Sequence, residues 1–257
     1  MTFTVAPSRL PRRTLLTETA LVLGVSLGAS ALWAILSIIR KMTAEVSLSA
    51  QTTTMNNAVT PDRPWLDLAH QLTGIALALV PVVLALHLLA RERPHPGLRM
   101  GFDLTRPIPD AVLGLLLTAL IGIPGIGLYL AARALDLNTT VAAANLTNVW
   151  WAIPVLILAA AQNAILEEVV MIGYLFTRWT QAGLQIWHVI LASAVLRGCY
   201  HLYQGFGGFV GNIVMGIVFG WLYTRTRRVM PLVIAHTLLD VFAFVGYTLL
   251  RDHVSWL

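Results

Sequence analysis

Charge is scarce in this chain. Of its 257 residues only 11% are charged while 57% are hydrophobic, and the mean hydropathy is +0.75. An average soluble domain carries about 25% charged residues. So few charges cannot cover an apolar core of this size, which excludes an ordinary soluble fold. Cysteine is nearly absent. Cys199 stands alone, so no disulfide can form within the chain and the redox compartment is not marked. Lysine is nearly absent too: Lys41 is the only one among 17 basic residues, a bias that points to a GC-rich bacterial genome. The net charge of +5 does not make a nucleic-acid surface, because the arginines fall in short loops and form no stripe with interleaved aromatics.

What is present is a series of apolar runs, each near the roughly 20 residues that cross a bilayer core. The runs are 19–39, 66–90, 111–132, 149–176, 184–203, 209–223 and 230–250. The first is too long for the 7–15-residue apolar core of a signal peptide and reads as a retained helix. Pro124, between glycines, predicts a kink in the third. The fourth is long enough to be tilted or broken. The polar stretch from Arg40 to Pro64 reads as an outer loop. The expected fold is an all-α, multi-pass transmembrane bundle of about seven to eight helices, forming one domain over residues 1–257. Counted with the N-terminus inside, inner loops hold Arg9, Arg12, Arg13, Arg91, Arg93, Arg99, Arg106, Arg178, Arg225, Arg227 and Arg228. Outer segments hold Arg40, Lys41, Arg63, Arg133 and Arg251. That excess places the N-terminus in the cytoplasm of a cell-membrane protein and, with seven spans, the C-terminus outside.

Most acidic residues sit in loops or at span ends, among them Glu92, Asp103, Asp110, Asp136 and Asp252. Glu167, Glu168 and Asp240 do not, and neither do Arg197, His201 and His236. An ionisable group inside a span costs several kcal/mol and needs a partner or a wet cavity. Six of them late in the chain argue for one shared polar site. His236 and Asp240 are four apart and share a helix face, as do Arg197 and His201. Glu167 and Glu168 are adjacent, so they point about 100° apart and do different work. A carboxylate and an imidazole on facing helices can hold and deprotonate a water. A second imidazole with a carboxyl can stabilise the oxyanion that follows attack on a carbonyl. Such a set performs peptide hydrolysis without a covalent intermediate.

Three motifs carry a resemblance. Glu167-Glu168-Val-Val-Met-Ile-Gly173, Arg197-Gly-Cys-Tyr-His201 and His236-Thr-Leu-Leu-Asp240 are similar, in order and spacing, to the motifs of the CAAX prenyl protease and bacteriocin-processing family of intramembrane glutamic endopeptidases. The resemblance covers about residues 150–245. It implies Glu167 as general base, His201 as a water-positioning residue, and His236 with Asp240 as the oxyanion site. It implies a membrane protein or lipidated peptide as substrate within the lipid bilayer, with no nucleic-acid partner. Two positions depart from the family pattern: Ile172 stands where the family has arginine, and Arg197 where it has phenylalanine. The arginine has moved to the next helix, and the expectation is that Arg197 pairs with Glu168.

Other readings compete. Glu, His, His and Asp are also zinc ligands, but there is no His-Glu-x-x-His spacing and the resemblance implies no cofactor and no metal. Cys199 lies two residues from His201 and does not face it. The glycines from Gly205 to Gly211 follow a membrane span rather than a strand and lack the Lys-Ser/Thr ending of a phosphate loop. The Gly207/Gly211 and Gly216/Gly220 pairs fit close helix packing. A non-catalytic membrane factor keeping the same fold is the second functional class, and a proton-coupled transporter the third.

Overall fold

A computed structural model describes residues 5–146, 149–251 and 253, so Asp252 lies outside the described residues. The described chain is an all-α bundle. Helix α1 (Arg12–Gly24) and α2 (Leu27–Met42) open it, followed by a three-residue strand β1 (Thr52–Thr54). Helices α3 (Pro64–Ala78) and α4 (Val80–Ala90) run on to a short α5 (Pro96–Arg99) and a long α6 (Pro107–Ala134). Strand β2 (Thr140–Ala142) precedes α7 (Ala152–Glu167), a π-helical segment (Glu168–Tyr174) and α8 (Leu175–Gln181). Helix α9 (Ile186–His201), a 3₁₀ turn (Leu202–Gln204), α10 (Phe206–Thr226) and α11 (Met230–Leu250) complete it.

Among the described residues five segments are long and apolar enough to cross a membrane: 64–90, 107–134, 152–181, 206–226 and 230–250. The expected first span is instead two helices bent by 53° at Val25-Ser26, and the pair makes a sixth candidate. Ser26 has non-helical dihedrals and turns its hydroxyl onto the Val22 carbonyl, so a run that is continuous in hydropathy is broken in backbone. The expected fifth span shrinks to the 16 residues of α9. At about 1.5 Å per residue it falls short of a bilayer core of about 30 Å. Pro124 sits inside an uninterrupted α6.

The central element is the 152–181 span. Of its apolar window 61% is buried, against 17–28% for the other four candidates. Every residue from Glu168 to Phe176 is buried, and α11 packs on the α7 part of this span and α9 on its π-helical and α8 parts. The outward faces of α2 and α6 expose Leu32, Trp33, Leu36, Leu115, Leu116, Leu120 and Ile123. Surface of that kind suits acyl chains and aggregates in water.

The loops sort into two sets. On one side, Arg178 pairs with Glu92, Arg228 with Asp103 and Asp110, and the Val229 amide donates to the Met100 carbonyl at 2.8 Å. On the other, β1 pairs in parallel with β2, Lys41 donates to Thr53 and the Tyr203 carbonyl, and the Thr139 amide donates to the Gln204 carbonyl at 2.9 Å. These are the same groupings that the arginine distribution assigned to inner and outer segments. The Arg40–Pro64 stretch is therefore an ordered loop tied to the segment before α7 and to the end of α9. Gly205 has φ +121°, in the region that favours glycine, and a Cβ there would lie 2.6 Å from the Asn138 backbone.

Candidate active site

Adjacent carboxylates at the end of α7 meet two different environments. The π-helical segment begins at Glu168, and such wide turns are common at functional sites. Glu168 and the Arg197 side chain are both 0% exposed, and Arg197 Nη2 donates to Glu168 Oε1 at 2.7 Å. The pairing expected between these two residues is present. The same Oε1 lies 2.7 Å from His236 Nδ1 on α11. A carboxylate oxygen can only accept, so Nδ1 carries the proton in that bond.

Glu167 is held differently. Tyr200 on α9 donates its hydroxyl to Glu167 Oε2 at 2.8 Å, and Arg197 Nη1 stands 3.6 Å from that oxygen. The Glu167 side chain is 11% exposed. Asp240, 22% exposed, lies one turn along α11 from His236, with 3.8 Å between its Oδ1 and His236 Nε2. Asn163 on α7 donates to its other oxygen at 3.4 Å. His201 closes α9, and its Nδ1 meets the Arg197 carbonyl at 3.0 Å. A carbonyl only accepts, so Nδ1–H is the donor and Nε2 keeps its lone pair in the neutral ring. The His201 ring packs against Tyr200, 4.8 Å between centroids.

The structure thus brings Glu167, Glu168, Arg197, His236 and Asp240 into one connected set, and His201 joins it through Arg197 and Tyr200. The cluster grades from a sealed end, Glu168 with Arg197, to a partly open end, Glu167, His201, Asn163 and Asp240. Glu168 Oε2, Arg197 Nε and Arg197 Nη1 are buried without a hydrogen-bond partner among the described residues. Ile172, at the family arginine position, is wholly buried in the π-helical segment. The Arg197 guanidinium lies over the Phe219 ring at 5.7 Å.

Sequence reasoning missed Tyr200 and Asn163. Both sit at helical spacing from residues it found: Asn163 four before Glu167 and Tyr200 three after Arg197. Neither carries a charge, so neither stood out by the cost of burying one.

Donor atoms of Glu167, Glu168 and His236 lie within 4.8 Å of one another. A divalent cation among them would also face the Arg197 guanidinium, and Glu168 Oε1 already accepts two bonds. The donor types suit a metal, and the guanidinium beside them opposes one.

Fold and site together define a multi-pass membrane protein with a carboxylate–histidine–arginine cluster buried among its C-terminal helices. Residues 149–242 match the family described as Rce1-like, Type II CAAX prenyl endopeptidase Rce1-like, so this part of the chain is similar to that protease family. The matched region contains every residue of the cluster, while α1 to α6 lie outside it. No curated protein and no solved structure matches the chain.

Proposed function

We propose that the chain is an intramembrane endopeptidase that hydrolyses a membrane-embedded or lipid-anchored protein by direct attack of water. The observation that carries this reading is the different treatment of two neighbouring carboxylates. Glu168 is closed between Arg197 and His236 with no exposed surface, whereas Glu167 is held by the Tyr200 hydroxyl with Arg197 3.6 Å away, and its side chain is 11% exposed.

In this reading Glu167 accepts a proton from a water that the lone pair of His201 Nε2 helps to orient. The water oxygen attacks the peptide carbonyl carbon, and charge moves to the carbonyl oxygen. His236, protonated on both nitrogens between Glu168 and Asp240, donates from Nε2 to that oxyanion. Asp240 orients the ring, and Asn163 adds an amide dipole to the oxyanion end. The proton held by Glu167 then passes to the leaving amine as the C–N bond breaks. Arg197 keeps Glu168 anionic and Glu167 aimed. No step needs a metal or another cofactor. The excess of arginine in the Arg91–Arg228 loop set supports a cell-membrane location with that side, and the N-terminus, in the cytoplasm.

Ile172 and Arg197, where the family has arginine and phenylalanine, favour a second reading: a non-catalytic membrane factor that keeps the cluster as a structural ion network. Reconstituted protein incubated with lipidated and unlipidated membrane peptides, followed by mass spectrometry, separates the two. The enzyme reading expects new peptide termini with wild type and none with Glu167→Gln or His201→Ala. Products that persist in both variants, or none with wild type, count against it.

A further inference from the structure

A second basic site lies on the opposite loop set, away from the Glu167 cluster. A cavity of about 250 Å³ opens between the α4–α5 connection, α8 and the end of α10. Its titratable lining is Glu92, Arg93, Arg99, Arg178, Tyr223 and Arg227, four cations to one carboxylate. The carboxylate is already committed, because Glu92 takes Arg178 and the Ser8 hydroxyl. Arg178 is fully buried, divides its charge between Glu92 and Glu18, and keeps Nε without a hydrogen-bond partner among the described residues. Arg93 and Arg99 have no ion-pair partner among the described residues, and Arg99 spends only Nε, on the Pro94 carbonyl. Leu89 and Met100 add apolar wall beside the arginines. Arg178 lies eleven residues beyond Glu167 along the central span, roughly 16 Å at helical rise.

Excess guanidinium charge facing a partly apolar cavity at the end of a membrane bundle matches a doubly liganded phosphate oxygen, for which arginine forks are the preferred partner. Basic pockets at the ends of membrane helices take lipid head groups in the same way. We propose that this cavity binds a phosphate group, either the head-group phosphate of an anionic phospholipid or free phosphate. Arg93 and Arg99 contact it directly, and Arg178 fixes the wall behind. The site is independent of proteolysis and stands whether or not Glu167 is catalytic.

The test uses the full chain in detergent, with native mass spectrometry and thermal unfolding as readouts. Phosphatidylglycerol, phosphatidylcholine and sodium phosphate are added separately, with sodium chloride at equal ionic strength as reference. Arg93→Gln/Arg99→Gln removes the contacts. Arg106→Gln/Arg225→Gln removes equal charge from exposed positions outside the cavity. Wild type retains phosphatidylglycerol over phosphatidylcholine if the lipid is the source, and gains midpoint with sodium phosphate if the free anion is. In either case the cavity variant binds at least about tenfold more weakly, the effect of losing one charged hydrogen bond, and the exposed-site variant is unchanged. Equal retention of both lipids with no effect of phosphate overturns the proposal. So does an equal loss in the two variants, which would mark a general surface field. Where the double variant is poorly folded, Arg99→Gln alone, at an exposed position, is compared with Arg225→Gln on the same lipids and phosphate.

Discussion

At the scale of single residues the Glu168–Arg197 pair decides whether the cluster can exist. Two charges taken out of water are tolerated together, and removing one strands the other. Arg197→Met is therefore expected to cost roughly 3–5 kcal/mol of stability, measured by denaturation in detergent, because Glu168 is left buried against His236 alone. Adding Glu168→Gln to Arg197→Met should restore a good part of that loss, and a double variant no better than the single would mean the pair is not coupled. Six of the cluster residues were legible in the sequence because a charge in an apolar run has a price that demands a partner. The departure at Ile172 was legible only through the resemblance, which sets arginine there while this chain carries Arg197 on the next helix. Tyr200 and Asn163 were not, because a hydroxyl or amide in a membrane helix is cheap enough to need no explanation.

At the scale of elements, contact between helices sets the site's geometry. The glycine pairs read as packing positions do pack: a Cβ on Gly207 would lie 2.5 Å from Ala132, and one on Gly216 would lie 2.8 Å from Ala194. Gly198 on α9 is as tight, 2.7 Å from Ile213 and 2.9 Å from the Phe209 carbonyl. It was hidden in the sequence because no second glycine stands four residues away. Gly198→Val should push α9 from α10, costing about 1–3 kcal/mol and displacing its neighbours Arg197 and His201. A thermal midpoint equal to wild type would show that the α9–α10 interface has slack. Periodicity located the helices but not their breaks. The bend at Ser26 falls within the 19–39 run and the π-helical segment starts at Glu168 within the 149–176 run, so neither break is marked by a polar loop.

At the scale of the whole molecule the two loop sets act as ties between helices far apart in sequence. Arg228, between α10 and α11, donates to Asp110 at the start of α6 and to Asp103 before it. The Arg228 bond, with help from Thr105, lowers the Asp103 pKa from 3.8 to about 2. A carboxyl with a depressed folded-state pKa adds stability above its unfolded value, and that stability drains away as pH falls through the folded value. Asp103→Asn should therefore lower stability by on the order of 1 kcal/mol at neutral pH, and its deficit against wild type should close between about pH 4 and pH 2. A deficit that is constant with pH would assign the effect to packing rather than charge. The segregation of loops was legible from arginine placement alone. The ties themselves were not, because sequence gives the side on which a loop lies and not the loop it touches.

The central claim is that Glu167 activates a water for peptide hydrolysis inside the membrane. Its most direct measurement compares peptide termini across the membrane proteomes of cells expressing wild type and Glu167→Gln at matched protein levels. A set of internal cleavage termini present with wild type and lost with the variant is the predicted result. Identical termini in the two strains would contradict it.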